Sequence, residues 1–174
     1  MRVFAFLLFA AWGWAQTAPM PAEYLGELRH AGGQVVELAK AIPAEKYSWR
    51  PGPGVRSVSE LFMHLATGNS LLLGQAGAEA AGSIDIPAAR KMETAVTNKQ
   101  EVIAELERTL KAVAEAYQGT TPEQLNRKIK FFGGPERTVA GVYLRILVHL
   151  NEHMGQAVAY ARVNGIVPPW SAGQ

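Results

Sequence analysis

The chain has 174 residues, with 17 Lys and Arg against 15 Asp and Glu, four histidines and no cysteine. A formal net charge of +2, with no Lys/Arg run and no aromatics interleaved among basic residues, excludes the usual footprint of a nucleic-acid surface. The missing cysteines exclude disulfides and any lipid attached through an N-terminal cysteine, and the length suits one domain whose core needs no cross-links.

The first residues, "MRVFAFLLFAAWGWA", carry Arg2, an apolar run from Val3 to Trp12, and small residues at Gly13 and Ala15. This pattern reads as a secretory signal peptide over residues 1–15, cleaved after Ala15. The apolar run is shorter than the roughly 20 residues a membrane span needs. The expectation is a mature domain over residues 16–174, periplasmic or secreted and free of the membrane once the leader is removed.

Four long helices follow. The first is predicted from about Pro21 to Ile42, with Leu25, Leu28, Val35 and Leu38 on one face and Pro43 as its stop. Pro51, Gly52, Pro53 and Gly54 then form a tight loop, after which Ser57 and Glu60 make a capping box. The second helix therefore starts near Val58, carries Leu61, Phe62, Leu65 and Leu72 inward, and fades at Gly74 to Gly77. The third is predicted as one helix from about Pro87 to Tyr117, because Val96, Ile103, Leu110 and Tyr117 recur every seven residues with Leu106 and Val113 between them. Thr121, Pro122 and Gln124 suggest a short capped turn, with Phe131 and Phe132 tucked against the helices. Thr138 caps the fourth helix, which runs to about Asn164 before Gly165, Pro168 and Pro169 end it. No strand is expected. The fold class is all-α, a four-helix bundle.

The fourth helix contains "LVHLNEHMGQ", with His149 and His153 four residues apart. At about 100° per residue, taking His149 as zero, His153 falls near 40°, Ile146 near 60° and Leu150 near 100°. Gln156, Arg145 and Glu152 lie on the other side. The two imidazoles thus stand at the shoulder of the core, where their side chains can converge on one metal ion. Two ligands rarely suffice. His64 on the second helix is the candidate third, with Gly68 one turn later leaving room beside its ring. His30 projects away from the apolar face of its helix and stays outside the site. Glu152 and Gln156, at the rim, are the candidates to hold the histidines' other ring nitrogens. Glu60 reads as a cap and Arg145 as a solvated charge. "HLNEH" also matches the H-x-x-E-H signature of inverted zinc proteases, whose third ligand is a downstream acid. No Asp or Glu follows Glu152, so that signature lacks its context.

Taken together, "SWRPGPGVRSVSELFMHL" through the first histidine, H-x-x-x-H in the last helix and the closing "HMGQAVAYARVNGIVPP" resemble the DinB/YfiT-like superfamily, over roughly Tyr24 to Pro169. The resemblance implies an up-down-down-up four-helix bundle, often a homodimer, with one divalent metal held by three histidines. By position these are His64, His149 and His153. Zinc or nickel is the expected ion, with manganese or iron as alternatives. Characterised relatives of this kind include thiol-dependent transferases, so the expectation is a metal-dependent hydrolase or thiol-dependent transferase acting on a small molecule. The alternative is a non-catalytic, metal-binding or metal-stabilised helical module. The leader sets this chain apart from the thiol-using relatives, which act in the cytoplasm.

Overall fold

The computed structural model describes residues 21–78 and 84–173; the leader expected over residues 1–15 lies outside them. The chain is mostly helical. Four long helices, α1 (Pro21–Ala41), α2 (Val58–Ala76), α4 (Lys99–Gln118) and α6 (Val139–Val163), are joined by two short ones, α3 (Ile86–Ala95) and α5 (Pro122–Asn126). α2 packs on α4 and α6, and α1 packs on the same two helices from the other side. α3 lies against α2, so α2 is covered from three directions. That is why polar Thr67, Asn69 and Ser70 are as buried as Leu61, Phe62, Met63 and Leu65. Among the described residues no helix is long and apolar enough to cross a membrane.

Local chemistry sets the helix ends. The Ser57 side chain accepts from Glu60 N–H while Ser57 N–H donates to Glu60 Oε2 at 2.7 Å, closing the capping box that starts α2. α2 stops at Gly77, whose φ of 80° is the left-handed conformation that glycine adopts without strain. Lys99 Nζ donates to the carbonyls of Lys40 and Ile42 at 2.6 and 2.8 Å, satisfying acceptors that the end of α1 leaves open.

Two expectations need correction. The third helix is not continuous: α3 ends at Val96 in extended backbone, and Asn98 caps a new helix by accepting from Gln100 and Glu101 N–H. Its apolar pattern marks the buried stripe only in part: Leu106, Val113 and Tyr117 of the expected residues are buried. Val102, Leu106, Thr109, Val113 and Tyr117 are the buried residues of α4, while Ile103 and Leu110 flank them. A small hairpin was also not anticipated. β1 (Lys128–Lys130) pairs antiparallel with β2 (Glu136–Thr138), Lys128 opposite Thr138. Phe131, at the hairpin tip, is partly buried against the core, but Phe132 is 45 % exposed at a φ of 48°.

Candidate metal centre

α2 and α6 carry the site. The capping box fixes the start of α2, which places His64 two turns in, facing α6. Thr138 caps α6 by accepting from Gly141 N–H, and this helix presents His149 and His153 one turn apart. The three rings converge. Their centroids are 4.9 Å apart for His64 and His149, 4.7 Å for His64 and His153, and 4.6 Å for His149 and His153. One ring nitrogen from each lies within 4.8 Å of the others.

Gly68 supplies the space, though not for the ring expected. A Cβ at Gly68 would stand 2.6 Å from His149 Cε1, so the glycine accommodates the ring arriving from α6 rather than its helical neighbour His64. His149 is also deeper than the shoulder position predicted from the helical projection: it is buried, with 7 % of its surface exposed, while His64 and His153 are half-buried.

The hydrogen bonds assign the tautomers. Glu93, on α3, accepts from His64 Nδ1 at 2.8 Å and from Thr67 Oγ1 at 3.3 Å through Oε1. Its Oε2 accepts from Arg56 Nε at 3.2 Å. Burial pushes the Glu93 carboxyl up, but the His64 hydrogen bond and charge, followed by Arg56, outweigh it and hold the group below the ordinary carboxylate value. An ionised Glu93 only accepts, so His64 carries a proton on Nδ1, and in the neutral ring that a metal requires the bare nitrogen is the inward Nε2.

His153 is held by a longer chain. The Arg56 carbonyl accepts from Tyr160 O–H at 3.1 Å, and Tyr160 Oη accepts from Gln156 Nε2 at 2.8 Å. The Gln156 amide oxygen is then left facing His153 Nδ1 at 3.0 Å. His153 therefore also carries its proton on Nδ1, leaving Nε2 free.

His149 has no such partner. Its Nε2 stands 3.1 Å from His64 Nε2, and its Nδ1 is buried without a hydrogen bond among the described residues. Burial first, then the neighbouring His153 and His64 and the charges of Arg145 and Arg56, push its pKa down to about 3. His153 is lowered by burial as well, against the raising effect of Gln156. Neutral imidazoles with inward lone pairs suit a cation. Two nitrogens bound to one four-coordinate ion at about 2.0–2.1 Å stand about 3.3 Å apart, close to the 3.1 Å seen here. Ligand histidines that give their other N–H to a carboxylate or an amide oxygen are the usual arrangement of such centres.

Of the residues singled out from sequence, His64, His149 and His153 come together and Gln156 touches His153. Glu152 does not: it is paired with Arg145 at 3.2 Å on the exposed side of α6, because its direction on the helix leads away from the triad. His30 is exposed on α1. The sequence reading missed Glu93 and the Tyr160–Arg56 link. Gln156 and Tyr160 share a helix face at i, i+4, a signal that was available. Glu93 had none, since it lies 29 residues from His64 in a segment read as the body of a longer helix.

The model of the DinB superfamily matches residues 27–157. Among solved structures, the chain is similar to a DinB-like protein from Bacillus cereus ATCC 10987, with a TM-score of 0.72 and 19% identity over 84% of this chain and 93% of that one. It is also similar to the DinB-like protein YjoA from Bacillus subtilis, with a TM-score of 0.61 and 20% identity over 82% of this chain and 92% of that one. At these identities the two structures speak for the fold alone. The comparison with curated protein sequences gives no match. With the family model spanning most of its length, including all three histidines, the chain belongs to the DinB superfamily.

Proposed function

We propose that this protein holds one divalent metal ion on His64, His149 and His153, zinc or nickel before manganese or iron, and uses it as a hydrolase or thiol-dependent transferase acting on a small molecule. The observation that carries the reading is the convergence of three imidazoles, two of them turned inward by Glu93 and Gln156. When bound, a divalent ion on neutral ligands supplies Lewis acidity, lowering the pKa of a water or a thiol toward neutrality. The chain's own contributions are distinct. Glu93 and Gln156 hold protons on the outer nitrogens, and the burial of His149 keeps that ring neutral. The His64 side chain remains 22 % exposed, which leaves a route for a small molecule, as a catalytic centre with three protein ligands requires.

The test is elemental analysis of protein prepared without a His-tag. About one equivalent of metal is expected, falling below about a tenth in His149→Ala. Stoichiometric metal retained by that variant would sink the assignment. A second reading, a metal-stabilised module without chemistry, draws on the depth of His149 and on the position of the triad between two long helices. Cobalt-loaded protein separates the two: a spectral change on adding a small exogenous ligand requires an accessible ion, and no change favours the module.

The same reading takes the long helices as up, down, down, up. In support, Tyr24 near the start of α1 meets Tyr117 at the end of α4 and Tyr143 near the start of α6. Tyr160 near the end of α6 reaches Arg56 just before α2. It also makes the protein an exported one, on the strength of its apolar leader; cell fractionation showing the protein in the cytoplasm would reject export.

A further inference from the structure

Arg56 is the residue on which both histidine-orienting chains end. From His64, the path runs through Glu93 to the Arg56 Nε–H. From His153, it runs through Gln156 and Tyr160 to the Arg56 backbone carbonyl. The backbone and the inner nitrogen of this side chain are thereby fixed to the groups that orient two of the three rings. The rest of the guanidinium is not used. Among the described residues, Nη1 and Nη2 of Arg56 make no hydrogen bond, and the side chain is 41% exposed.

Two other guanidinium–carboxylate pairs among the described residues are built differently, although Arg145, like Arg56, holds its carboxylate through a single nitrogen. Arg108 grips Glu105 with two bonds, Nε at 2.8 Å and Nη2 at 2.6 Å. Arg50 spends both amino groups, Nη1 on the Val55 carbonyl and Nη2 on Glu60. Arg56 cannot grip Glu93 with two bonds, because the second carboxylate oxygen already serves His64 and Thr67. Its two amino groups form a fork matched to a pair of oxyanion oxygens. The charge balance points the same way. Glu93 and Arg56 offset one another, as do Glu152 and Arg145. Three neutral imidazoles contribute nothing, so a divalent ion leaves the centre with two uncompensated positive charges.

We infer that Arg56 is a specificity-determining residue whose free edge receives the anionic group, a carboxylate or a sulfonate-like oxyanion, of a ligand engaged at the histidine triad. This rests on the metal reading above. It narrows the small molecule to one that carries an oxyanion within reach of its metal-seeking atom.

The test uses full-length, cobalt-loaded protein and three thiol probes read by their absorption on binding: neutral 2-mercaptoethanol, mercaptoacetate and 2-mercaptoethanesulfonate. The quantity is the ratio of anionic to neutral affinity within each protein, so a general loss of fit cancels. Wild-type protein should favour at least one anionic probe by about tenfold or more, since a hydrogen bond to a charged group contributes on that scale. Arg56→Gln should lower the ratio by about tenfold, toward the preference that the ion's own charge gives, and Arg56→Lys, which keeps the charge but not the fork, should fall between. The better of the two anions then gives the shape of the group. Equal affinities in the wild type, or a preference undiminished in Arg56→Gln, would overturn the inference while leaving the metal centre standing. Failure of the wild type to take up cobalt would overturn both.

Discussion

At the scale of single residues, the closest fit in the site is between Gly68 and His149. A glycine inside a helix costs about 1 kcal/mol relative to alanine, and α2 bears that cost where a Cβ would meet His149 Cε1 at 2.6 Å and Nδ1 at 3.1 Å. Gly68→Ala should therefore gain helix propensity and yet displace the ring. The expected result is a metal affinity weakened by roughly 10- to 100-fold, the range seen when the support of a ligand is disturbed. Titration against a chromophoric chelator reads this directly; an unchanged affinity would mean that the ring relocates without cost. Glu93→Gln is the complementary case. Its single amide oxygen can face His64 or Arg56 but not both, and the NH2 group would then oppose a donor on the other side. A similar loss in affinity is expected. If the metal-free protein loses stability while affinity holds, Glu93 secures α3 rather than the imidazole.

At the scale of elements, what was legible was whatever is written in consecutive residues. The Ser57/Glu60 and Thr121/Gln124 capping boxes both form, and Gly77 and Gly165 take the positive φ expected at helix ends. The break between α3 and α4 was not legible, because Val96 continues the heptad spacing of Ile103 and Leu110 across it. Periodicity reports which residues are apolar at a helical interval, not whether the backbone stays helical between them. The local signal was Asn98, a good cap residue placed before Lys99, and it lost to the longer pattern. That error hid Glu93, since a residue within one straight helix packed along the bundle would not be expected to turn back onto α2. The cap offers a check. Asn98 Oδ1 accepts from two N–H groups, so Asn98→Ala should cost about 1 kcal/mol, within the range of about 0.5–2 for lost caps. Because α4 carries none of the three histidines, urea unfolding should register the loss while metal affinity stays near the wild-type value. A large drop in affinity would show that α4 supports the site after all.

At the scale of the whole molecule, the ion would join α2 to α6 across the core, so the site and the fold share one stability. The candidate ligands could be paired from sequence because each sits on a strongly patterned helix. Of their outer partners, Gln156 on the helix of His153 was legible too, but Glu93 and Arg56 were not, because they join the network only once α3 and the segment before α2 have packed. The consequence of burying these groups is a dependence on pH that metal-free protein should show. An unfolded histidine protonates near 6.5, whereas folded His149 does so only at about 3. Between those values the unfolded chain binds the additional proton, so stability is complete above about pH 6.5 and is lost as the pH falls. His153, also lowered, acts in the same direction. Glu93, held below the ordinary carboxylate value, adds to the loss below about 4.5 by the same sign rule. From pH 7 to pH 4 the His149 contribution alone should amount to something on the order of 3 kcal/mol, read as a falling urea midpoint in the presence of chelator. His149→Met removes the proton acceptor and keeps an apolar side chain, so its stability should vary much less across that range. If the variant keeps the wild-type slope, acid sensitivity comes from carboxylates elsewhere and His149 is not the buried neutral base described here.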